Sequence, residues 1–430
     1  MSARRFLPDD SPETIAQKQL EGLRWTVGHV LQGSPFYQER LKAVGLRDSK
    51  DISSLHDLTG LPLTTAGDLK DGYPLPLLSV PQNKIVCVHA SSGTTGKRKV
   101  LAYTRKDVDT FSYMMARCFE LAGVTPEDRM QIAVGYGLWT AGVGFQLGCE
   151  LLGSMAIPIG AGNIEMHLQF LQDFGTTVMG STASMALLLS EEVERYDLLD
   201  KIKLKKIIFG AEPHSVKMRQ SFERKLGLED SFDIGGMTEM YGPGTAIDCP
   251  EHTGLHFWAD LFIIEILDPE TLQPVPFGEV GEMVVTSLCK EGAPLLRYRT
   301  GDLTRMIPGV CPCGLAMPRH DKILGRSDDM IIFRGVNIYP GQITDVLAGV
   351  PETGGEYHIE LSRGEDGRDV MLLSIERHPD ARGDNDEALA AHIAKLMQHR
   401  IFVNPRVHVV GPGSLPRSMG KSKRVTDKRF

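Results

Sequence analysis

The sequence predicts an α/β protein: a large N-terminal domain of layered βα units with a β-rich subdomain, then a small C-terminal α+β domain. Three observations predict this architecture. Between residues 85 and 226, short apolar β-rich runs alternate with amphipathic runs of helix length, the pattern of βαβ units on a covered sheet. From Leu261 the pattern changes to strands and turns. After Gly325-Arg326-Ser327-Asp328-Asp329 a second, shorter βα pattern begins, which places a domain boundary at Asp328 and divides the chain into residues 1–327 and 328–430.

The elements follow in order. Pro12–Leu31 and Tyr37–Val44 repeat apolar residues at helical spacing, so the N-terminal stretch reads as mostly helical. Strands are expected at Ile85–His89, Met130–Val134, Met155–Ile159, Thr177–Gly180 and Lys205–Phe209. Between them lie helices at Asp107–Ala122, Trp139–Leu152, Ile164–Phe174, Ser184–Arg195 and His214–Leu226. Leu261–Leu267, Gly281–Thr286 and Leu303–Ile307 are the strands of the subdomain, and the chain ends in a basic segment, Gly420–Lys428. There is no internal repeat or low-complexity tract.

Composition narrows the function classes. The 430 residues are 42% hydrophobic, enough for two or more cored domains. A net charge of −8 offers no basic field for nucleic acid or an anionic membrane. The N-terminus lacks an apolar core of signal-peptide length, and the most apolar stretches, such as Gly148–Gly160, are too short to span a bilayer. Seven irregularly spaced cysteines form no disulfide framework, which fits the cytoplasm. The expectation is a soluble cytoplasmic protein without a nucleic-acid or membrane partner; a homodimer stays open.

The most informative stretch is Ala90-Ser-Ser-Gly-Thr-Thr-Gly-Lys-Arg-Lys-Val100. Ser91, Ser92, Thr94 and Thr95 supply hydroxyls, Gly93 and Gly96 allow close backbone approach, and Lys97 and Lys99 add positive charge. Such a loop suits a polyphosphate. It is not a Walker A loop, because only two residues separate Gly93 from Gly96 and Arg98 follows the lysine. A polar hairpin turn between strands Lys84–His89 and Lys99–Tyr103 is the other reading, and the loop alone does not choose.

Four more constellations bear on that choice. In Asp233-Ile-Gly-Gly-Met-Thr-Glu-Met-Tyr-Gly-Pro-Gly244, a glycine-rich bend is expected to expose Thr238 and Glu239, and a carboxylate beside a phosphate loop is a common Mg²⁺ holder. A solvated turn is the alternative. In Leu296-Arg-Tyr-Arg-Thr-Gly-Asp-Leu303, Asp302 suits a ribose diol, or else caps a turn or pairs with Arg297 or Arg299. The third is Leu324-Gly-Arg-Ser-Asp-Asp-Met-Ile-Ile-Phe-Arg-Gly-Val-Asn337, which also reads as a loop entering a strand. The fourth is Leu415-Pro-Arg-Ser-Met-Gly-Lys-Ser-Lys-Arg-Val425, where Lys421 sits on a glycine-containing loop able to reach an anion, or in a solvated basic tail.

In this order and spacing the segments resemble the adenylate-forming acyl-CoA ligase superfamily, and specifically the phenylacetate–CoA ligase family. The match runs from His89 to Arg424 and is closest at His89-Ala-Ser-Ser-Gly-Thr-Thr-Gly-Lys97, Gly242-Pro-Gly244, Arg297-Tyr-Arg-Thr-Gly-Asp302 and Arg334-Gly-Val-Asn-Ile-Tyr-Pro340. The resemblance implies ATP-dependent ligation of an aryl acid to coenzyme A through an acyl-adenylate, with release of pyrophosphate and then AMP. It implies that Ser91, Ser92, Gly93, Thr94, Thr95, Gly96 and Lys97 hold the β- and γ-phosphates and Glu239 the Mg²⁺, with Thr238 beside the nucleotide. Asp302 and Arg326 are then expected at the ribose, and Lys421 between the carboxylate and the α-phosphate. Gly210, Ala211, Glu212 and Pro213 match the adenine-side segment, Asp328 the hinge on which a mobile small domain turns, and Gly335 the pantetheine tunnel. One departure stands out: Gly235 occupies the place of an aromatic that stacks on adenine, with Tyr241 as the nearby ring.

The resemblance also places the acid at Tyr136-Gly-Leu-Trp-Thr-Ala-Gly-Val-Gly144, where Tyr136 matches an aromatic pocket position and Ala141, Gly142 and Gly144 leave room for a flat ring. A glycine-rich helix start is the alternative. Separately, Cys311-Pro-Cys313, Cys249 and a histidine make a Cys₃His set for structural zinc, and the family pattern Gly254-Leu-His256 favours His256 over His252. Reduced loop cysteines are the alternative. Cys87, Cys118, Cys149 and Cys289 read as core or incidental. Two rivals to the ligase stay open: an adenylating enzyme that loads a carrier-protein thiol, and a non-catalytic nucleotide- and zinc-binding module.

Overall fold

The computed structural model describes residues 5–91, 98–212, 214–327, 331–333, 336–338, 340–364, 369–415 and 424–429. At its centre, nine strands form one sheet, ordered Met306–Ile307, Arg319–His320, Leu255–Phe257, Gly242–Asp248, Asp230–Met237, Lys206–Gly210, Val178–Thr182, Arg129–Ile132 and Met155–Ile157. The last five are mutually parallel, and the rest continue the sheet antiparallel. Parallel neighbours need crossover connections. The helices Thr140–Leu152, Ile164–Asp173, Ala183–Arg195 and Val216–Leu226 supply them.

The local sequence explains these helices. Asn163, Thr182 and Ser215 accept backbone N–H bonds at three N-termini, and Gly153 and Gly227 close two C-termini in the left-handed region at φ 95° and 60°. Covered on both faces, every residue of Val178–Thr182 is buried.

A second, antiparallel sheet is ordered Phe262–Leu267, Gly281–Ser287, Tyr298–Thr304 and Gly325–Arg326. The single strand expected at Leu303–Ile307 is in fact two. Leu303 ends the strand Tyr298–Thr304 of this sheet, and beyond Arg305 the pair Met306–Ile307 joins the edge of the nine-stranded sheet. Apolar periodicity runs through the corner because both sides of Arg305 pack, which hides the change of sheet. Asp302, offered by the sequence as a ribose ligand, a turn cap or an arginine partner, lies within the strand and pairs in register with Arg326.

Residues 331–427 include a mixed sheet of Arg406–Val410, Asp369–Arg377, Thr353–Arg363 and Val425–Asp427 with the helices Pro340–Ala348 and Asp386–Ile401. Ile343, Leu347, Ile359, Leu373, Ile393 and Met397 form a core of their own there. The expected boundary residue, Asp328, lies outside the described residues. Lys217, on the crossover helix Val216–Leu226, donates to the carbonyls of Val350 and Thr353, capping the region just past the helix Pro340–Ala348. No described helix is long and apolar enough to cross a membrane.

Candidate active site

Three of the expected segments leave the carboxyl ends of parallel strands in one sheet. Tyr136 follows Arg129–Ile132, Gly210–Glu212 closes Lys206–Gly210, and Thr238–Glu239 follows Asp230–Met237. Carboxyl ends of parallel strands are where open α/β sheets bind ligands. The serine–threonine–glycine loop joins them as the connection of an antiparallel hairpin, Cys87–Ala90 with Val100–Tyr103. It is tied to the Tyr136 side by Ala90 N–H donating to the Leu138 carbonyl at 2.9 Å. The hairpin alternative is therefore correct as local structure, and it leaves the ligand question to the loop's surroundings. Ser91 Oγ, at the loop's start, is buried without a hydrogen-bond partner, whereas Ser92, Gly93, Thr94, Thr95, Gly96 and Lys97 lie outside the described residues.

The structure buries Thr238 and Glu239, at 6% and 3% exposure, where the sequence suggested an exposed bend. The reason is charge pairing. Glu239 lies in a one-turn 3₁₀ helix with its carboxylate ion-paired to Lys99 and accepting from Tyr298 Oη at 3.1 Å. Burial alone would raise this carboxyl, but the Lys99 ammonium outweighs it and holds the group below its ordinary value. Burial, reinforced by the same carboxylate, pushes the Tyr298 phenol up, so it remains a donor. Tyr298 starts the strand that also carries Asp302, and Arg326 Nη1 donates to Asp302 Oδ1 at 2.6 Å. Arg297 and Arg299 pair instead with Glu265 and Glu282.

Of the remaining expected residues, Glu212 accepts from Ser184 N–H at 2.6 Å at the start of a crossover helix, and Ala211 has φ 72°. Pro213, Asp328, Gly335 and Lys421 lie outside the described residues. Tyr241 does not offer a ring for adenine: it is fully buried, packed edge-on to Tyr103 and stacked near Phe111. A Cβ on Gly142 would stand 2.6 Å from the Tyr136 ring and one on Gly144 2.4 Å from Phe111. Room at those glycines is thus filled by the chain's own rings, and Ala141 is buried. Tyr136 Oη is buried and unpartnered.

Away from this cleft, Cys249, His256, Cys311 and Cys313 place their ligand atoms within 4.8 Å of one another. Cys249 Sγ and Cys311 Sγ are 3.6 Å apart, and Cys313 Sγ is 3.4 Å from His256 Nε2. Tetrahedral zinc with its usual bond lengths sets sulfurs about 3.8 Å apart, so the donor set fits that ion. His256 Nδ1 donates to the Met317 carbonyl at 2.7 Å, leaving Nε2 aimed at the cluster, and burial pushes this histidine down to about 4, into the neutral ligand form. His252 is engaged elsewhere, with Asp248 and Asp230 at 2.6 and 3.0 Å.

Sequence reasoning named Lys99 only as loop charge and gave no part to Tyr298 or Lys290. A lysine that closes the apolar run leaving the strand Gly281–Ser287 is the signal that singles out Lys290.

A family model described as AMP-binding enzyme matches residues 17–289, and one described as AMP-binding enzyme C-terminal domain matches residues 335–429. The cleft at the parallel strand ends thus belongs to an AMP-binding, adenylate-forming enzyme. A phenylacetate–coenzyme A ligase of Aromatoleum evansii is 40% identical over 427 residues, covering 97% of this chain and 96% of that one. The chain belongs to the phenylacetate–CoA ligase family and is an AMP-forming acid–CoA ligase.

A 2-hydroxyisobutyryl-CoA ligase solved in the post-adenylation state with 2-HIB-AMP is 27% identical, covers 99% of this chain and 92% of that one, and superposes with a TM-score of 0.89. The same ligase in the thioesterification state, with 2-HIB-AMP and CoA, is 28% identical at the same coverage of 99% and 92%, with a TM-score of 0.71. The present arrangement is thus more similar to the former structure than to the latter.

Proposed function

We propose that the acid this ligase activates is an aryl acid of phenylacetate type. The observation that carries the reading is Tyr136, an aromatic wall seated on Gly142 at the carboxyl end of the parallel sheet. Its ring supplies apolar surface, and its buried, unpartnered hydroxyl a hydrogen-bonding group. In the first half-reaction the substrate carboxylate attacks the α-phosphorus of ATP and pyrophosphate leaves. In the second, the coenzyme A thiol attacks the acyl carbon, losing its proton, and AMP departs with the bonding electrons.

The residues' parts are positional and electrostatic. Ser91–Lys97 surround the β- and γ-phosphates, Gly210–Pro213 line the adenine side with Thr238 next to them, and the Asp302–Arg326 pair holds the ribose. Lys421 reaches the α-phosphate during adenylation only. Asp328 is the pivot at the junction of 1–327 and 328–430, and Gly335 lines the pantetheine path. Glu239, with Lys99 as its partner until a stronger cation arrives, holds Mg²⁺, whose chemistry when bound is to offset phosphate charge. Cys249, His256, Cys311 and Cys313 hold a closed structural zinc. The free cysteines support a cytoplasmic setting.

Pyrophosphate release and thioester formation across a panel of aryl and alkyl acids test the reading. Arylacetates should give the highest kcat/KM, and Lys421→Ala should lose pyrophosphate release while still converting supplied acyl-adenylate. Preference for short aliphatic acids, or thioester formed only on a carrier protein, would overturn it.

A further inference from the structure

Lys290 is fully buried, and the nucleotide chemistry described above gives it no part. Its Nζ donates to the main-chain carbonyl of Glu239 at 2.8 Å and lies 4.7 and 4.8 Å from the ring centres of Tyr103 and Tyr241. Tyr103 Oη in turn shares its one proton between the carbonyls of Thr238 and Tyr241, at 3.0 and 3.2 Å. Three carbonyls of the Thr238–Tyr241 turn are thus tied down from beneath by two buried side chains.

The turn needs such anchoring. Tyr241 has φ 83°, a conformation that costs a non-glycine residue about 1–3 kcal/mol and persists only when the surroundings impose it. Asp107 completes the support, accepting from Glu291 N–H and Gly292 N–H at 2.8 Å each and so fixing the loop that carries Lys290. An ammonium is costly to bury, and this one has no solvent contact. Its position makes sense as a strut beneath the turn that carries the Glu239 carboxylate.

We propose that Lys290 is a positioning residue for divalent-cation binding: through the Glu239 carbonyl it sets where the Glu239 carboxylate stands. It touches neither nucleotide nor acid and acts only through the turn. The inference rests on the reading of Glu239 as the Mg²⁺ ligand. Outer-shell partners of metal ligands typically contribute about 10–100-fold in affinity or activity.

The test is a titration of Mn²⁺ onto the protein with a non-hydrolysable α,β-methylene ATP analogue, followed by its paramagnetic resonance. Pyrophosphate release at varied Mg²⁺ and thioester formation from supplied acyl-adenylate are measured beside it. Lys290→Met, which keeps the stem, should weaken Mn²⁺ binding about ten-fold. The Mg²⁺ needed for half-maximal pyrophosphate release should rise equally, and thioester formation should not change. Lys290→Gln, which retains a donor, should recover part of the loss.

Equal loss in both half-reactions, or unaltered Mn²⁺ affinity, overturns the proposal. Should Lys290→Met fail to fold, Tyr103→Phe removes the companion donor at little change in volume, and its Mn²⁺ affinity decides. Glu239→Gln separates the two levels. If it leaves Mn²⁺ binding intact, the Mg²⁺ reading itself is wrong; if it abolishes binding while Lys290→Met does not alter it, only the present inference falls.

Discussion

The Glu239 turn and the Cys249–His256–Cys311–Cys313 knuckle flank the same strand, Gly242–Asp248, yet treat charge in opposite ways. At the turn, the protein supplies its own countercharge: Lys99 pairs with the carboxylate, and Lys290 lies beneath it. At the knuckle, three thiols and an imidazole converge with no ammonium or carboxylate among the ligand atoms, and burial pushes the Cys249 thiol up to about 12. A pre-neutralised site can exchange one cation for another during turnover. A resident zinc at the knuckle, as proposed, would instead put its binding strength into holding strands together.

The sharpest way to break this comparison is at the knuckle. Cys311→Ser should take the metal content of purified protein from about one zinc per chain to near zero. Loss of a structural ion is among the largest single-residue effects, about 4 kcal/mol or more, so the melting temperature should fall by about 10 °C. Glu239→Gln should leave the zinc content as it was. Wild type purified without chelators yet free of zinc, with Cys311→Ser equally stable, would remove the distinction.

Next in size is a pH effect at the turn. Burial depresses the Lys290 ammonium to about 8, against the favourable pull of Asp107, Glu239, Cys289 and Cys87. Its folded value is below its unfolded value, so the unfolded chain holds this proton more tightly. The cost is full below pH 8 and is relieved as pH rises towards 10.5. Wild type should therefore gain on Lys290→Met by up to about 3 kcal/mol across that window, read from urea midpoints at pH 7.5 and 10. Parallel pH profiles would mean that the ammonium is not held against its ordinary value.

The smallest effect concerns Lys217, which joins the large unit to the carbonyls of Val350 and Thr353. That contact is part of an arrangement more similar to the ligase structure with 2-HIB-AMP than to the one with 2-HIB-AMP and CoA. Lys217→Ala should slow pyrophosphate release about three- to five-fold, as expected for losing about 1 kcal/mol of hydrogen bonding, and leave thioester formation from supplied acyl-adenylate undiminished. Zinc content should not respond, because the knuckle lies wholly within residues 249–313. Equal slowing of both half-reactions would show that Lys217 supports the fold rather than one arrangement.

Much of this protein was legible along the chain. The alternation of apolar runs located four of the five parallel strands and their crossover helices, because burial on a sheet and on a helix imposes different periods on the same residues; Asp230–Met237, whose glycines read as a bend, was not among them. The segments around Ser91, Glu239 and Asp302 could be picked out because glycine, hydroxyls and charge concentrate there, and those around Tyr136 and Gly210 through the family resemblance. Even the zinc-type ligand set was readable, since cysteines two residues apart on a knuckle constrain each other locally.

What the tertiary structure alone decided is who stands beside whom. Lys290 lies 51 residues from the carbonyl it holds, and Tyr103 lies 135 from Thr238; no local period records such pairings. The same holds for the burial of Glu239, which looked like a solvated turn until Lys99 and Tyr298 closed over it, and for Tyr241, drawn into the core rather than towards a base. It holds also for Gly142 and Gly144, whose missing side chains make room for Tyr136 and Phe111 instead of a substrate. Composition and spacing select the groups that do the chemistry because those are properties of short segments. Countercharge, strain and filled space are properties of contacts between distant segments, and these exist only once the chain has folded.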